Sequence, residues 1–253
     1  MKIIVITGAS SGIGAEFARQ LDRKVSDVEE FWLTARRKGR MEKLAKELKH
    51  PVRIFAEDIR NQSFYEELEH QLKINEADVK MLINCAGYGI VGSVENRSKE
   101  ELLGIVDVNC KALTAVTMLC LPYMRRNARI VQMASSAAYL PQPGFAVYAA
   151  SKSYVLSFSR ALSEELRKRG IFVTAVCPGP VDTEFFKRAE QYGATYGFKK
   201  YFRMHARDVV EKAIRAAGRK QPVVTPGIAM KGFLVLTKLV PHEILLRVMR
   251  HLK

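Results

Sequence analysis

Lys2-Ile3-Ile4-Val5-Ile6-Thr7-Gly8-Ala9-Ser10-Ser11-Gly12-Ile13-Gly14 joins a run of apolar residues to three glycines with almost nothing between them. Ile3 to Ile6 are apolar without alternation, the pattern of a strand covered on both faces in a parallel sheet. The glycines end that strand. Gly8 permits a tight turn, Gly12 lets backbone N–H groups approach a ligand, and Gly14 lets the following helix lie against the strand. A helix N-terminus then faces the gap, and its unpaired N–H groups and positive dipole end suit a pyrophosphate. A nucleotide is therefore the first ligand to consider. The spacing is G-x-x-x-G-x-G, which departs from the G-x-G-x-x-G of the common dinucleotide folds. The competing reading is a glycine-rich turn with no ligand, and three glycines would then lose conformational entropy for no approach of one backbone to another group.

Outward from this turn the pattern repeats. Phe31 to Ala35, Val52 to Ala56, Val79 to Ile83, Arg129 to Ala134 and Ile171 to Val176 read as further short strands, with a seventh near Val223 and Val224. Helical stretches separate them, among them an amphipathic one through Phe64, Leu68 and Leu72 and a long one from Tyr148 to about Arg169 closed by Gly170. Strand and helix alternating at these intervals predict an α/β fold: one Rossmann-like, doubly wound parallel sheet of about seven strands with helices on both faces. The whole chain, 1–253, is expected to be one dinucleotide-binding catalytic domain. Ligands of such sheets bind beyond the carboxyl ends of the strands, which places Gly8, Arg36, Asp58 and Asn84 along one edge.

Composition narrows the class. At 253 residues, with 48% hydrophobic and 26% charged residues, the chain has ample surface to bury and no segment biased enough to be disordered. Lys and Arg number 41 against 26 Asp and Glu, a net charge of +15 that attracts phosphates, nucleic acid or an anionic membrane, or simply stays solvated. Cys85, Cys110, Cys120 and Cys177 show no C-x-x-C spacing, so a reducing, cytoplasmic setting is expected. The five histidines are scattered and no metal site is visible. The apolar N-terminal run is too short for a signal peptide, and Ile228 to Val240 is interrupted by Lys231 and Lys238 short of the ~20 residues that span a bilayer.

Arg36 lies 22 positions past Gly14, close to the ~20 at which such folds put the residue that reads the ribose 2′ position. An acidic residue there would suit a free 2′-hydroxyl. Arg36 and Arg37, followed by Lys38 and Arg40, instead offer guanidinium groups that pair with phosphate in fork geometry, which favours NADP(H) over NAD(H). A basic helix start on the surface is the alternative. Tyr148-Ala149-Ala150-Ser151-Lys152 puts a phenol and an ammonium on one helical face. A fixed cation nearby is expected to bring the phenol below its ordinary pKa of ~10 and so make Tyr148 a proton donor or acceptor nearer neutral pH. Ser135, at the end of the fifth strand, is in position to bond the same substrate oxygen.

In order and spacing these motifs resemble the short-chain dehydrogenase/reductase family over nearly the whole chain. Thr7 to Gly14 resembles that family's cofactor loop, Asn84-Cys85-Ala86-Gly87 its N-x-A-G strand end, and Tyr148 to Lys152 its Y-x-x-x-K pair. The resemblance implies Tyr148 as general acid or base, Lys152 as the group that lowers its pKa and holds the nicotinamide ribose, Ser135 as the carbonyl-orienting hydroxyl, and Asn109 as part of a proton relay. It also selects Ser135 over Ser136. The cofactor would meet Ser10, Ser11, Ile13, Ile59, Asn84, Ala86, Gly87 and Val181 along its length, Asp58 at the adenine, and Pro178, Gly179 and Thr183 at the carboxamide. Two departures stand out: Cys85 where family members often carry Asn, and Ser11 where some NADP-preferring members have a basic residue.

The resemblance thus implies an NADP(H)-dependent oxidoreductase passing hydride between nicotinamide and a carbonyl or secondary alcohol. The segment 183–205 would fold over the substrate. Its Phe185, Tyr192, Tyr196 and Phe198 either line an apolar pocket or pack on the sheet, and Lys199 and Arg203 either meet an anionic group or face water. The extension 226–253, with Phe233, Leu236, Leu239 and Leu245 among Lys and Arg, covers the pocket, pairs subunits or makes peripheral membrane contact. The substrate class this suggests is a hydrophobic, lipid-, steroid- or aromatic-like small molecule, and assembly into a homo-dimer or tetramer is expected. The rival reading is a non-catalytic nucleotide-sensing or nucleic-acid-binding protein on the same fold, but the intact Asn, Ser, Tyr and Lys set argues against it and no nucleic acid is expected as partner.

Overall fold

Short apolar segments that must hide both faces can do so only between two layers of helices, and that requirement organises the molecule. The computed structural model describes residues 1–189 and 203–251. Its strands are β1 (Lys2–Thr7), β2 (Glu30–Thr34), β3 (Val52–Phe55), β4 (Asp78–Asn84), β5 (Arg129–Met133), β6 (Phe172–Val176), β7 (Val181–Asp182), β8 (Met204–His205) and β9 (Val223–Val224). Seven of them form one sheet in the order β3-β2-β1-β4-β5-β6-β9, every neighbouring pair parallel. This is the doubly wound sheet of about seven strands that the sequence predicts. Strand ends agree to within a residue or two.

The helices are α1 (Gly12–Asp22), α2 (Lys38–Glu47), α3 (Gln62–Ile74), α4 (Lys99–Val106), α5 (Leu113–Cys120), α6 (Ala146–Glu165), α7 (Glu184–Ala189), α8 (Ala206–Gly218), α9 (Ile228–Leu239) and α10 (His242–His251). Alternation along β1 divides the core. Ile3 and Val5 pack with Phe64, Leu68 and Leu72 of α3 and Val116 of α5, whereas Ile4 and Ile6 pack with Phe17 and Leu21 of α1 and Val209 and Val210 of α8. Gly170, in the left-handed region at φ 69°, stops the helical turn that follows α6, as the sequence indicates.

Between α4 and α5 the helix continues without a break through a π-turn, Asp107–Ala112. The run Lys99–Tyr123 is long and apolar enough to cross a membrane by length and composition alone. In this fold its apolar side faces the sheet: Ile105, Ala112, Val116 and Cys120 are fully buried. Two features go beyond the sequence reading. The segment 183–205, expected to fold over the substrate, is pinned at both ends, because β7 and β8 pair as a small parallel ladder. The part of that segment from 190 to 202 lies outside the described residues. The C-terminal extension forms α9 and α10, and α9 packs on the turn after β6: a Cβ on Gly179 would stand 2.7 Å from Met230.

Candidate active site

The carboxyl ends of β1 and β4 are held together by the backbone of the glycine turn. Gly8 has φ 69°, and a Cβ there would lie 2.7 Å from the Ala86 nitrogen, so no side chain fits between the two strand exits. The Thr7 hydroxyl accepts a hydrogen bond from that same Ala86 N–H at 3.1 Å. A Cβ on Gly14 would lie 2.4 Å from the Gly8 carbonyl oxygen, which is how closely α1 is set against β1. Ser11 occupies the N-cap of α1 but makes no side-chain cap bond; its hydroxyl accepts from Arg37 instead, at 2.7 Å.

A cleft of about 850 Å³ opens at this point, where the strand order reverses. Gly8, Ser10, Ser11, Gly12, Ile13, Gly14, Arg36, Arg37, Asp58, Ile59, Ala86, Gly87, Ser135, Tyr148, Lys152, Pro178, Gly179, Val181 and Thr183 all line it. Residues nominated from widely separated stretches therefore share one cavity. Its chemistry fits a dinucleotide. A glycine cradle and a helix N-terminus free of a side-chain cap lie at the centre, and the buried hydroxyl of Thr34 on the wall has no hydrogen-bond partner among the described residues.

At one end of the cleft arginines are paired with carboxylates. Arg37 donates to Ser10 Oγ at 3.2 Å and to Glu184 at 2.7 Å. Arg36 stands 3.9 Å from Asp58, which Arg60 binds at 2.9 and 2.8 Å. The bonds from Arg60, aided by the charge of Arg36, hold the Asp58 carboxyl below its ordinary range.

At the other end the catalytic candidates converge. Ser135 caps a short 3-10 turn, accepting from the Ala137 N–H at 3.1 Å. Tyr148 and Lys152 project from successive turns of α6 and are 7% and 5% exposed. Phe145 stacks on the Tyr148 ring at 4.3 Å, and Phe185 lies across it at 5.4 Å. Burial pushes the Tyr148 phenol up to about 12, only partly offset by its hydrogen bond with Ser135. Burial also brings the Lys152 ammonium down to about 8. The phenol expected below its ordinary value thus stands above it: the Lys152 nitrogen donates to the Met133 carbonyl at 2.7 Å and lies 5.8 Å from the ring centroid, and desolvation dominates both groups.

Two nominated asparagines have other surroundings. Asn84 does not line the cleft; its amide donates to Thr117 and Gln132, each at 3.0 Å, inside a fully buried polar network between β4, α5 and β5. Its role as a cofactor contact is corrected to one of joining strand and helix. Asn109 sits in the π-turn and clamps the backbone of Tyr88, accepting from its N–H and donating to its carbonyl, both at 3.0 Å, while also donating to Ser151 at 2.9 Å. It thereby joins α6 to the loop after β4. Sequence reasoning missed Thr7, Thr34, Arg60, Phe145 and Glu184. Thr7 was inside the quoted motif, while the others are marked only by their place in three dimensions. The four cysteines are free thiols, and burial raises each of them above the ordinary thiol value. No group of three His, Cys, Asp or Glu able to hold a metal occurs among the described residues.

A doubly wound sheet whose reversal point carries a glycine cradle, a guanidinium cluster and a buried phenol-ammonium pair defines an enzyme of dinucleotide-dependent oxidation and reduction. Comparison with known proteins makes the class specific. The short chain dehydrogenase profile matches residues 2–193, and the chain belongs to that family. The NADP-dependent 3-hydroxy acid dehydrogenase YdfG of Salmonella typhi is 34% identical over 203 residues, covering 77% of this chain and 81% of the relative. A short-chain dehydrogenase from Sphingobium yanoikuyae, solved in complex with NADPH, superposes with a TM-score of 0.78 at 27% identity over 95% of this chain and 96% of that one. A Burkholderia phymatum short chain dehydrogenase/reductase in complex with NAD shares the fold, with a TM-score of 0.80 at 23% identity over 97% of this chain and 95% of that one. The protein is an oxidoreductase of this family.

Proposed function

We propose that the protein reduces a ketone or aldehyde with NADPH, Tyr148 protonating the substrate oxygen. The observation that carries this reading is the convergence of Ser135, Tyr148 and Lys152 in the cleft that Arg36 and Arg37 border at its other end. When bound, the dinucleotide supplies the hydride. The protein's own groups do the rest. The Ser135 hydroxyl orients the carbonyl oxygen toward the phenol, and Tyr148, whose raised pKa keeps it protonated at neutral pH, delivers the proton. Lys152 stabilises the phenolate left behind and takes part in holding the ribose; Asn109 fixes the loop and the helix between which this happens.

Gly8, Ser10, Ser11, Gly12, Ile13 and Gly14 would hold the pyrophosphate region, Asp58 and Ile59 the adenine, and Pro178, Gly179, Val181 and Thr183 the carboxamide end. NADP(H) is the preferred cofactor on the strength of Arg36 and Arg37, and the NADP-dependent relative supports the same choice. Phe145 and Phe185 beside the phenol favour a substrate with an apolar group next to its carbonyl. Leu103, Val106, Met118 and Tyr154, exposed on α4, α5 and α6, suit pairing with a second copy of the chain. Tyr148→Phe tests the mechanism: it should lower turnover by at least about 10³-fold while NADPH binds as before. Full activity in that variant would overturn it.

A further inference from the structure

Glu184 follows Thr183 at the start of α7, and its carboxylate reaches across the mouth of the cleft to the β2–α2 wall. One oxygen accepts from Arg37 at 2.7 Å and the other from Arg40 at 2.5 Å. The remaining donors of Arg37 point at the cofactor loop, with Nε and Nη2 each 3.2 Å from Ser10 Oγ and Nη2 2.7 Å from Ser11 Oγ. The hydrogen bonds from both arginines hold the Glu184 carboxyl at about 2, so it is an anion at any working pH. The other two guanidiniums of the rim, Arg36 and Arg60, face Asp58.

A 2′-phosphate and the Glu184 carboxylate are both anions that require guanidinium N–H donors in the same fork geometry. Of the rim arginines, Arg37 alone bridges the cofactor loop and the opposite wall, and one edge of its guanidinium is already taken by Glu184. A phosphate entering there must displace the carboxylate or stand beside it as a like charge. A nucleotide with a free 2′-hydroxyl meets no such conflict. Loss of the carboxylate would not release Arg37, because Ser10 and Ser11 still hold it. Nor would it cost the fold much, since the side chains of Glu184, Arg37 and Arg40 are 46%, 45% and 47% exposed, and exposed pairs contribute little to stability.

We propose that Glu184 is a specificity-determining residue that competes with the cofactor's 2′-phosphate for Arg37 and Arg40, and so sets how far the enzyme prefers the phosphorylated dinucleotide. The proposal rests on the reading of this rim as a 2′-phosphate site and adds a residue 147 positions away from Arg37 in the chain. Nucleotide fragments test it without turnover. Adenosine 2′,5′-bisphosphate and adenosine 5′-monophosphate are titrated calorimetrically into the wild-type protein and Glu184→Gln, with melting temperature as a check on folding. Glu184→Gln should bind the bisphosphate about three- to tenfold more tightly, the range expected from freeing two exposed ion pairs, and the monophosphate within about twofold of wild type. Unchanged or weakened bisphosphate binding in Glu184→Gln, with the wild type still preferring the bisphosphate, overturns the role of Glu184 alone. Equal affinity for both nucleotides in both proteins overturns the 2′-phosphate site itself, and with it the proposal.

Discussion

Tyr148 and Lys152 show how burial reverses a reading made from neighbours alone. Spacing puts them on one helical face, and a cation beside a phenol favours phenolate. Inside the protein both lose hydration, and each moves toward its neutral form: the phenol up to about 12, the ammonium down to about 8. A reductase benefits from the first shift, because its acid stays loaded. The second predicts an alkaline limit. Reduction measured as kcat/KM should hold through neutral pH and fall above about pH 8 as Lys152 loses its charge. Lys152→Met should remove that limb along with most of the activity, about 10²-fold or more. Deprotonation of Lys152 does not itself destabilise the fold. Lys152 titrates lower in the folded chain than the ordinary 10.5, so between about 8 and 10.5 the unfolded chain binds more protons and this group's contribution to stability rises with pH. A thermal melt run across the same pH series separates the two, and a profile without a limb near pH 8 would refute the assignment.

At the scale of elements, the turn from β1 into α1 is a contact between backbones. The Gly14 position has room for hydrogen only, with the Gly8 carbonyl oxygen 2.4 Å from where a Cβ would be. Neither partner is a side chain that can swing away, so Gly14→Ala must displace α1 from β1. Overpacking of this kind costs ~1–3 kcal/mol, which lowers the melting temperature by several degrees in a chain of this size. Because the first turn of α1 faces the cleft, NADPH binding measured by fluorescence should weaken more than tenfold. An alanine variant that binds as tightly as wild type would show that the turn tolerates a shift. The π-turn Asp107–Ala112 carries a similar lesson. Composition marks only an apolar helix there, yet the extra residue in the turn is where Asn109 faces the Tyr88 backbone and Ser151.

For the molecule as a whole, the helix Lys99–Tyr123 has two sides with different fates. One is buried on the sheet; the other leaves Leu103 at 50%, Val106 at 41% and Met118 at 66% exposed. Tyr154 of α6 extends this surface, its hydroxyl 2.8 Å from that of Thr114 on α5. Scattered apolar residues need no explanation, but a surface shared by three helices does. Sedimentation velocity should find a homo-oligomer in the wild-type protein, and Leu103→Glu with Met118→Glu should shift it to monomer without loss of NADPH binding. A wild-type monomer at micromolar concentration would remove the proposed assembly.

Much of this was legible along the chain because strands buried on both faces and the glycines between them are local patterns. Ile3 to Ile6, Val79 to Ile83 and Gly8-Gly12-Gly14 declare a parallel sheet and a phosphate-facing turn through chain sterics and periodicity alone. The family motifs then placed Ser135, Tyr148 and Lys152 in one site. Tertiary structure decided the rest, and in each case because the deciding partner is remote in sequence. It assigned Asn84 to a buried network with Thr117 and Gln132, turned the shift of Tyr148 upward by surrounding it with Phe145 and Phe185, and brought Glu184 onto Arg37 and Arg40. Periodicity says which face of an element is buried. Desolvation and charge depend on what is packed against it, and only the folded chain supplies those neighbours.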